Sequence, residues 1–231
     1  MAASVFLANS AQAVVTLVGD TTITFDNANL NLGDQIPGNF GSNATNSGGG
    51  ITIGNSGLGL GTPDITLSWK SQFNGFGHQS TQFEYVNVSG TDGGFLNNSV
   101  VGQTHEIQFS PGANASLILS SLDFQSVGVT ADTYTYTLTV KDAGTSSILA
   151  SVPVVVAGDG NKTAPINLGV HGVLGQSLVL DISRTGGTGD GFSMAVDDIA
   201  FSEVVPEPTT TALMGLGLGG LGLMAVRRWR K

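Results

Sequence analysis

The chain has no cysteine among its 231 residues, and this absence removes two ways of holding a small fold together. A disulfide framework is excluded, and so is any zinc site built on thiolates. The length is sufficient for one domain with a sizeable hydrophobic core. Such a fold must depend on its core for stability, with a bound cation as the remaining option.

Basic residues are also scarce, with 8 Lys and Arg against 17 Asp and Glu. Half of the basic residues stand in the last five positions, 227–231. Without the stretch from Pro206 onward, which holds those four and Glu207, 16 acids face 4 bases and the net charge is −12. So acidic a body repels phosphate backbones, which argues against nucleic acid as a partner, and it attracts divalent cations.

Helical runs are missing before residue 205, whereas Gly reaches 34 residues and Thr, Ser, Asn and Val are frequent. Apolar and polar residues alternate along the body as they do in half-buried strands. Nine strands are predicted, at 21–25, 64–69, 82–88, 105–109, 115–124, 133–140, 147–156, 177–183 and 192–201. Turns such as Asp92–Gly94 separate them, and residues 41–61 are predicted to form a long loop or a weak edge hairpin. The expected fold class is all-β, an antiparallel two-sheet sandwich of jelly-roll type over residues 14–204, with the first and last strands as neighbours.

The N-terminal residues show the small-x-small pattern Ala11-Gln12-Ala13 after a mostly apolar stretch. This pattern is typical of the end of a secretory signal peptide that is cut after Ala13. The positive region that should precede it is missing, because no Lys or Arg occurs before Lys70, so the true start is expected upstream of Met1. We interpret residues 1–13 as a signal-peptide remnant, with an ordinary frayed segment as the alternative.

The C-terminal residues combine three parts in order. Pro206, Glu207 and Pro208 come first, and residues 209–226 follow without a charged side chain. As a helix, fifteen to eighteen of these residues would span roughly 22–27 Å, a minimal match to a bilayer core of about 30 Å. The basic residues after this single predicted transmembrane helix place its end in the cytoplasm by the positive-inside rule. They are Arg227, Arg228, Arg230 and Lys231.

This order of parts resembles the PEP-CTERM sorting signal of Gram-negative bacteria, over residues 205–231. The resemblance implies a protein that is exported, held transiently in the inner membrane, and processed by an exosortase on its way to the cell surface or extracellular matrix. It also implies that Pro206, Glu207 and Pro208 are the recognition residues. The basic cluster would then act as the stop-transfer signal.

A second resemblance lies at the two ends of the body. The stretches ITFDNANLNLGDQIPGNFGS, from Ile23, and MAVDDIAFSEV, from Met194, resemble the first and last strands of jelly rolls of the carbohydrate-binding-module type. In such folds these strands lie side by side and often hold a structural calcium. The resemblance implies association with extracellular polysaccharide.

Asp197 and Asp198 are adjacent on the predicted last strand, so their side chains are expected on opposite faces. An inward carboxylate needs a partner, and the body has only 4 basic residues. A calcium ion shared with Asp26 or Asn27 would supply one, because Ca²⁺ prefers hard oxygen ligands. Structural calcium is the one cofactor predicted, and the alternative is that both acids cap turns or stay solvated.

Aromatic residues offer a candidate sugar-binding surface. In the stretch Phe73-Asn-Gly-Phe76-Gly-His78 the two rings have no obvious place in a core, and His78 can supply a hydrogen bond. Tyr134 and Tyr136 share one face of their strand, and they are predicted either as part of this platform or as a half-exposed stripe. Trp69 is expected in the core.

A catalytic constellation is not apparent in the sequence. His78, His105 and His171 lack the spacing of zinc ligands. Glu84 and Glu106 are candidates for a glycosidase pair, although they alternate with apolar neighbours as solvent-facing strand residues do. The predicted function is a non-enzymatic surface or matrix protein associated with exopolysaccharide. The alternative is a polysaccharide-active hydrolase or lyase that uses Glu84 and Glu106.

Overall fold

The computed structural model describes residues 15–25, 51–53, 65–71, 84–88, 91–96, 101–102, 104–126, 129–188 and 194–206. Within these ranges lie twelve strands. They are β1 (Val15–Ile23), β2 (Ile51–Ile53), β3 (Ile65–Ser71), β4 (Glu84–Val88), β5 (Thr91–Leu96), β6 (Thr104–Pro111), β7 (Ser116–Ser126), β8 (Val129–Asp142), β9 (Ile148–Asp159), β10 (Ile166–His171), β11 (Leu178–Gly187) and β12 (Met194–Pro206).

The chain divides into two compact units. The larger unit is Leu17–Val204, and the smaller combines Met1–Thr16 with Val205–Lys231. Among the described residues, none forms a helix long and apolar enough to cross a membrane. The predicted signal-peptide remnant (1–13) and the predicted transmembrane helix (209–226) lie outside the described residues.

The strands of the larger unit form two antiparallel sheets. One has five strands in the order β3-β6-β11-β8-β9. The other has seven, in the order β10-β7-β12-β1-β2, with β5 also paired to β12 and β4 paired to β5. Consecutive strands such as β6 and β7 lie in different sheets, which is the connectivity of a jelly roll. The predicted all-β sandwich is confirmed, and β1 lies beside β12 as the sequence predicted.

The core between the sheets is built from inward side chains that alternate along each strand. In β6, for example, His105, Ile107 and Phe109 are buried while their neighbours are partly exposed. Aromatic pairs reach across the gap between the two sheets, with Phe124 of β7 stacked on Tyr136 of β8 at 4.9 Å between ring centres. Trp69 is 2% exposed, which confirms its predicted place in the core.

Three strands were not predicted. Thr91–Leu96 is β5, although its Asp92–Gly94 segment indicated a turn, and Ile166–His171 is β10. Ile51–Ile53 is β2, a short strand at the end of the sheet order, within the segment predicted as a loop or a weak edge hairpin. Glycine and polar residues lower strand propensity, and pairing to a neighbouring strand overrides that local preference.

Candidate functional site

The outer face of the five-stranded sheet is a broad polar surface, which we call the polar face. Buried residues alternate there with outward side chains, for example Thr137 between the buried Tyr136 and Leu138. Many outward side chains carry hydroxyl groups, whereas the edge strand β9 adds the exposed apolar Leu149 and Val155. The hydroxyl-bearing residues include Thr66, Ser68, Thr104, Ser110, Thr135, Thr137, Thr139, Ser151 and Ser183. Because side chains alternate with period 2, one sheet presents an apolar and a hydrogen-bonding surface.

The strand register aligns these side chains in rows across the sheet. Thr104 pairs with Ser183, which pairs with Thr137, and the hydroxyls of Thr104 and Ser183 are hydrogen-bonded at 2.7 Å. An adjacent row contains Glu106 beside Asp181. The hydroxyl row covers three strands at about 4.8 Å spacing, so it is roughly 10 Å long, and it continues onto Pro153 of β9. The polar face can therefore present several fixed hydroxyl groups to an extended polymer.

One ion pair lies within the polar face. The Asp181 carboxylate is only 7% exposed and accepts a hydrogen bond from the Lys141 ammonium. A buried carboxylate would be costly without such a partner. Pairing it with Lys141 reduces the charge of the surface and leaves the hydroxyl groups as its main chemistry.

The predicted aromatic platform is wrong for Tyr134 and Tyr136. Both rings are in the core, 1% and 0% exposed. Tyr134 lies under the Arg184 guanidinium at 5.4 Å, and Tyr136 stacks on Phe124. The two tyrosines do share one face of β8, but that face is the inward one, so neither ring can stack on a sugar. Phe73, Phe76 and His78 lie outside the described residues, and their glycan contact stays a prediction.

An open cleft of about 470 Å³ lies between the β8–β9 turn and the β10–β11 loop, and we call it the end cleft. Its polar walls come from Asp142, Gln108, Gln176 and Ser177, and Val173 and Leu174 add apolar surface. Gln108 belongs to β6, so the cleft is continuous with the polar face. This volume falls within the range of small-molecule sites, about 300–1,000 Å³.

The end cleft is organised by Asp142. Its Oδ1 accepts the backbone N–H groups of Gly144 at 2.7 Å and Thr145 at 2.8 Å, and its Oδ2 accepts the Gln176 amide. These hydrogen bonds, the one from Gln176 foremost, hold the pKa of Asp142 below its usual value. Gly175, at φ +71°, lets the opposite loop turn back so that its N–H donates to Ala115 at 2.7 Å.

Asp197 and Asp198 lie in a second cluster, on the outer side of the seven-stranded sheet. The Lys162 ammonium is 3.0 Å from Asp197, 2.5 Å from Asp198 and 3.7 Å from Asp123. We call these four residues the Lys162 cluster. Lys162 stands in the β9–β10 connection, which is tied to β7 by a hydrogen bond from Thr163 N to Phe124 O at 2.8 Å.

The prediction that Asp197 and Asp198 point to opposite faces is wrong. The register of β12 against β7 shifts between Asp197 and Ala200, and Asp198 has a positive φ of 45°. This is a β-bulge, in which an extra residue breaks the alternation of side chains. Aspartate tolerates the left-handed conformation better than most residues. Both carboxylates therefore reach the same lysine.

Burial dominates the acid–base behaviour of the Lys162 cluster. It raises the pKa of Asp197 to about 7 against the opposing effect of Lys162, and it also raises the pKa of Asp123. Burial lowers the pKa of Lys162, but its hydrogen bonds to Asp198 and Asp197 outweigh that effect and leave the pKa raised. Around neutral pH Asp197 is therefore divided between its charged and neutral forms.

The calcium site stays a prediction. Lys162 is the partner of the buried Asp197 carboxylate, a role that the sequence assigned to calcium. Asp26 and Asn27 lie outside the described residues, and no group of three or more metal-ligating acids or histidines occurs among the described ones. A thermal melt of the full chain with calcium and with EDTA tests the prediction.

Glu84 and Glu106 do not share a sheet. Glu84 is on β4 of the seven-stranded sheet, and Glu106 is on β6 of the five-stranded sheet. Glu106 stands between the inward His105 and Ile107, so it faces outward on the polar face. The proposed glycosidase pair on one concave face is therefore contradicted. His105 points into the core at 2% exposure, and burial lowers its pKa to about 4.

No local sequence pattern predicts a role for Lys162, Asp123, Asp142 or Gln176. The scarcity of basic residues was the available signal for Lys162, because each base in so acidic a body has several acids to pair with. Its contacts with Asp197 and Asp198 span 35 and 36 positions of sequence, and no local pattern reveals them. The end cleft combines two connections that are likewise distant in sequence.

The family described as the PEP-CTERM protein-sorting motif matches residues 204–231. The chain therefore carries the sorting signal of an exported, exosortase-sorted protein, as the sequence predicted, and Pro206, Glu207 and Pro208 lie within the match. No curated protein matches the chain.

Solved structures similar to this chain include two carbohydrate-binding modules. One is a family 4 module (CBM4), at 10% identity and TM-score 0.31, covering 62% of this chain and 87% of the other. The second is a module specific for non-crystalline cellulose (CBM28), at 10% identity and TM-score 0.31, covering 58% and 86%. A third is the K3 cleaved adhesin domain of Lys-gingipain from Porphyromonas gingivalis, at 14% identity and TM-score 0.31, covering 81% and 99%.

Proposed function

We propose that this chain is a non-enzymatic protein of the cell surface or extracellular matrix, which associates with extracellular polysaccharide through the polar face. The observation that carries the proposal is the sorting motif at residues 204–231, because such a motif supports export of the sandwich to the cell surface. The polar face supports the proposed association with polysaccharide. The resemblance of the body's two ends to carbohydrate-binding jelly rolls points the same way.

Sorting would proceed through the three parts of the tail. Residues 209–226 would enter the inner membrane, with Arg227 and Arg228 retained in the cytoplasm by their charge. An exosortase would then process the chain near Pro206-Glu207-Pro208 and release the sandwich outside. Mass spectrometry of surface protein from the native host should find C-termini near Pro206. Mature extracellular protein that still ends in Lys231 would refute processing.

Hydrogen bonding is the physical basis proposed for polysaccharide association. A polysaccharide presents hydroxyl groups at regular intervals, and the polar face presents a row of hydroxyl groups roughly 10 Å long, from Thr104 through Ser183 to Thr137. Thr side chains have restricted rotamers on a strand, so little entropy is lost when they bind. Hydrogen bonds to water are exchanged for hydrogen bonds to sugar, so each contact contributes modestly and affinity comes from their number.

Polysaccharide binding by the polar face can be tested by affinity electrophoresis of the full chain through gels that contain soluble polysaccharide. The detergent should have no sugar headgroup. Replacing Thr137 and Thr139 by Val removes two hydroxyls of the polar face and keeps the side-chain shape. We expect the Thr137→Val/Thr139→Val variant to be retarded less than the wild type. Ser120→Ala with Ser121→Ala, on β7 of the other sheet, is the control and should migrate as the wild type does. Equal retardation of all three proteins would exclude the polar face.

A further inference from the structure

The end cleft has more hydrogen-bond acceptors than its described contacts use. The Asp142 carboxylate accepts two backbone N–H groups and the Gln176 amide, and the Thr145 hydroxyl also stabilises it, so its negative charge is what it offers a ligand. Gln176 Oε1 accepts only the Val173 N–H among the described contacts, at 2.7 Å, although a carbonyl oxygen has two lone pairs. Gln108 donates its amide to Ser110 Oγ at 3.2 Å. A ligand that suits these walls is rich in donors.

The remaining walls are apolar and exposed. Val173 and Leu174, in the β10–β11 loop, are 69% and 55% exposed. Large apolar side chains beside a carboxylate and two carboxamides form an amphipathic surface. Sugar rings are amphipathic in the same way, since their C–H groups lie on the ring faces and their polar groups lie at the edges.

The negative charge of the end cleft favours some donor-rich ligands over others. The body carries 16 acids and 4 bases before Pro206, and Asp142 adds its own carboxylate to the cleft. Uronic acids and phosphorylated sugars would meet repulsion there, whereas an ammonium group would make a charge-assisted hydrogen bond. We propose that the end cleft binds an amino-sugar unit of an extracellular polysaccharide, with the sugar's ammonium on Asp142 and its ring against Leu174.

This inference rests on the proposed function in one respect, which is that an extracellular polysaccharide supplies the amino sugar. Titration calorimetry of the full chain, in the same type of detergent, should use short chitosan oligomers at mildly acidic pH, where the amine is protonated. The fully N-acetylated oligomers have the same rings without the charge. We expect binding of the amine form and affinity at least about tenfold lower for the acetylated form, because one charge-assisted hydrogen bond is lost.

Asp142→Asn is the decisive variant, because asparagine can still accept the Gly144 and Thr145 N–H groups that shape the turn. Asp159→Asn is its matched control. Asp159 is also an exposed acid that accepts a backbone N–H two residues on, from Asn161 at 2.9 Å, and it stands at the far end of β9, roughly 35 Å away. We expect Asp142→Asn to weaken oligomer binding about tenfold or more and Asp159→Asn to leave it unchanged.

Leu174→Ser tests the ring contact independently, and it should weaken binding several-fold without lowering the melting temperature. A linear diamine supplies ammonium groups without a ring, and binding as tight as that of the oligomer would overturn the assignment to a sugar. Equal loss in Asp142→Asn and Asp159→Asn would overturn the site. If the oligomer does not bind but the polymer still retards the protein, the amino-sugar site in the end cleft is overturned and the polar face is not. The Thr137→Val/Thr139→Val variant should be retarded less by the polymer and should bind the oligomer as the wild type does.

Discussion

The outer faces of the two sheets differ in how regularly they are built. On the five-stranded sheet, β6 pairs with β3 and with β11 without a register shift, and the shifts of β8 against β11 and β9 fall near the ends of those pairings. Polar residues therefore stay on one side of β8 from Thr133 to Val140. On the seven-stranded sheet, β12 shifts register twice against β7, and the Lys162 cluster lies at that irregularity. Hydrogen-bonding side chains are therefore distributed over the polar face, whereas the charged side chains of the Lys162 cluster meet at one bulge.

The two sheets also differ in their lysine pairs. Lys141, on the five-stranded sheet, faces one buried acid, Asp181. Lys162, at the bulge, faces three acids, of which Asp123 and Asp197 are 5% exposed. One cation cannot neutralise three carboxylates, so part of the burial cost appears as a raised pKa for Asp197. We therefore expect the free energy of unfolding to depend on pH through the titration of Asp197 at the bulge.

The largest effect should come from the inward side of the five-stranded sheet. Tyr134→Ala removes a core ring and should lower the free energy of unfolding by about 3–5 kcal/mol. Thr137→Val, on the outward side of the same strand, should change it by less than about 0.5 kcal/mol. Urea denaturation of the full chain measures both. A loss below 1 kcal/mol for Tyr134→Ala would contradict the burial of this ring.

The second effect belongs to Asp197. Its folded pKa of about 7 exceeds the ordinary value of 3.8 for aspartate, so between these values the folded state binds more protons than the unfolded chain. The free energy of unfolding should therefore fall as the pH rises from about 4 to about 8, by on the order of 2–4 kcal/mol. The raised pKa of Asp123 acts in the same direction. Asp197→Asn should flatten this dependence, and an unchanged slope would exclude Asp197 as its source.

Lys162→Met should have a smaller effect, because the Lys162 side chain is 33% exposed. We expect a loss of about 1–3 kcal/mol at pH 8, where the acids are left without a cation, and a smaller loss at pH 5, where Asp197 is neutral. Repeating the substitution in the Asp197→Asn background supplies the control, since the pH difference should then shrink. A loss that is equal at both pH values would argue against coupling between Lys162 and Asp197.

The smallest effect concerns Tyr136. Its buried hydroxyl has no hydrogen-bond partner among the described residues, and burial raises its pKa well above the usual value. Tyr136→Phe removes this hydroxyl and keeps the ring that stacks on Phe124, so stability should stay within about 1 kcal/mol of the wild type, on the stabilising side. A larger loss, seen in a thermal melt, would indicate a hydrogen bond to this hydroxyl.

The difference between the two faces also explains which structural features could be predicted from the sequence. Alternation identified the sheet-forming segments and the inward position of Trp69, because period 2 persists wherever pairing is regular. It failed at Asp198, since a bulge inserts one residue and no local residue pattern required it there. The prediction that Tyr134 and Tyr136 face outward was wrong, because a period shows that residues share a face and does not show which face is inward.

The candidate sites were predicted unevenly for a related reason. The sorting motif is contiguous, so Pro206, Glu207 and Pro208 could be recognised directly from their order. The end cleft joins Asp142 to Gln176 across 34 positions, and the Lys162 cluster joins β7, β12 and a connection between strands. Such sites depend on which strands become neighbours, and sequence pattern alone leaves that pairing open.

The most direct test of the account separates the tail from the body in the native host. Cells should produce the full chain as wild type and as Thr137→Val/Thr139→Val, and the mature protein should be quantified in the matrix and in the culture medium. We predict that both proteins are exported and processed, with the wild type in the matrix and the variant largely in the medium. Retention of the processed variant in the matrix at the wild-type level would contradict the claim that the polar face binds polysaccharide.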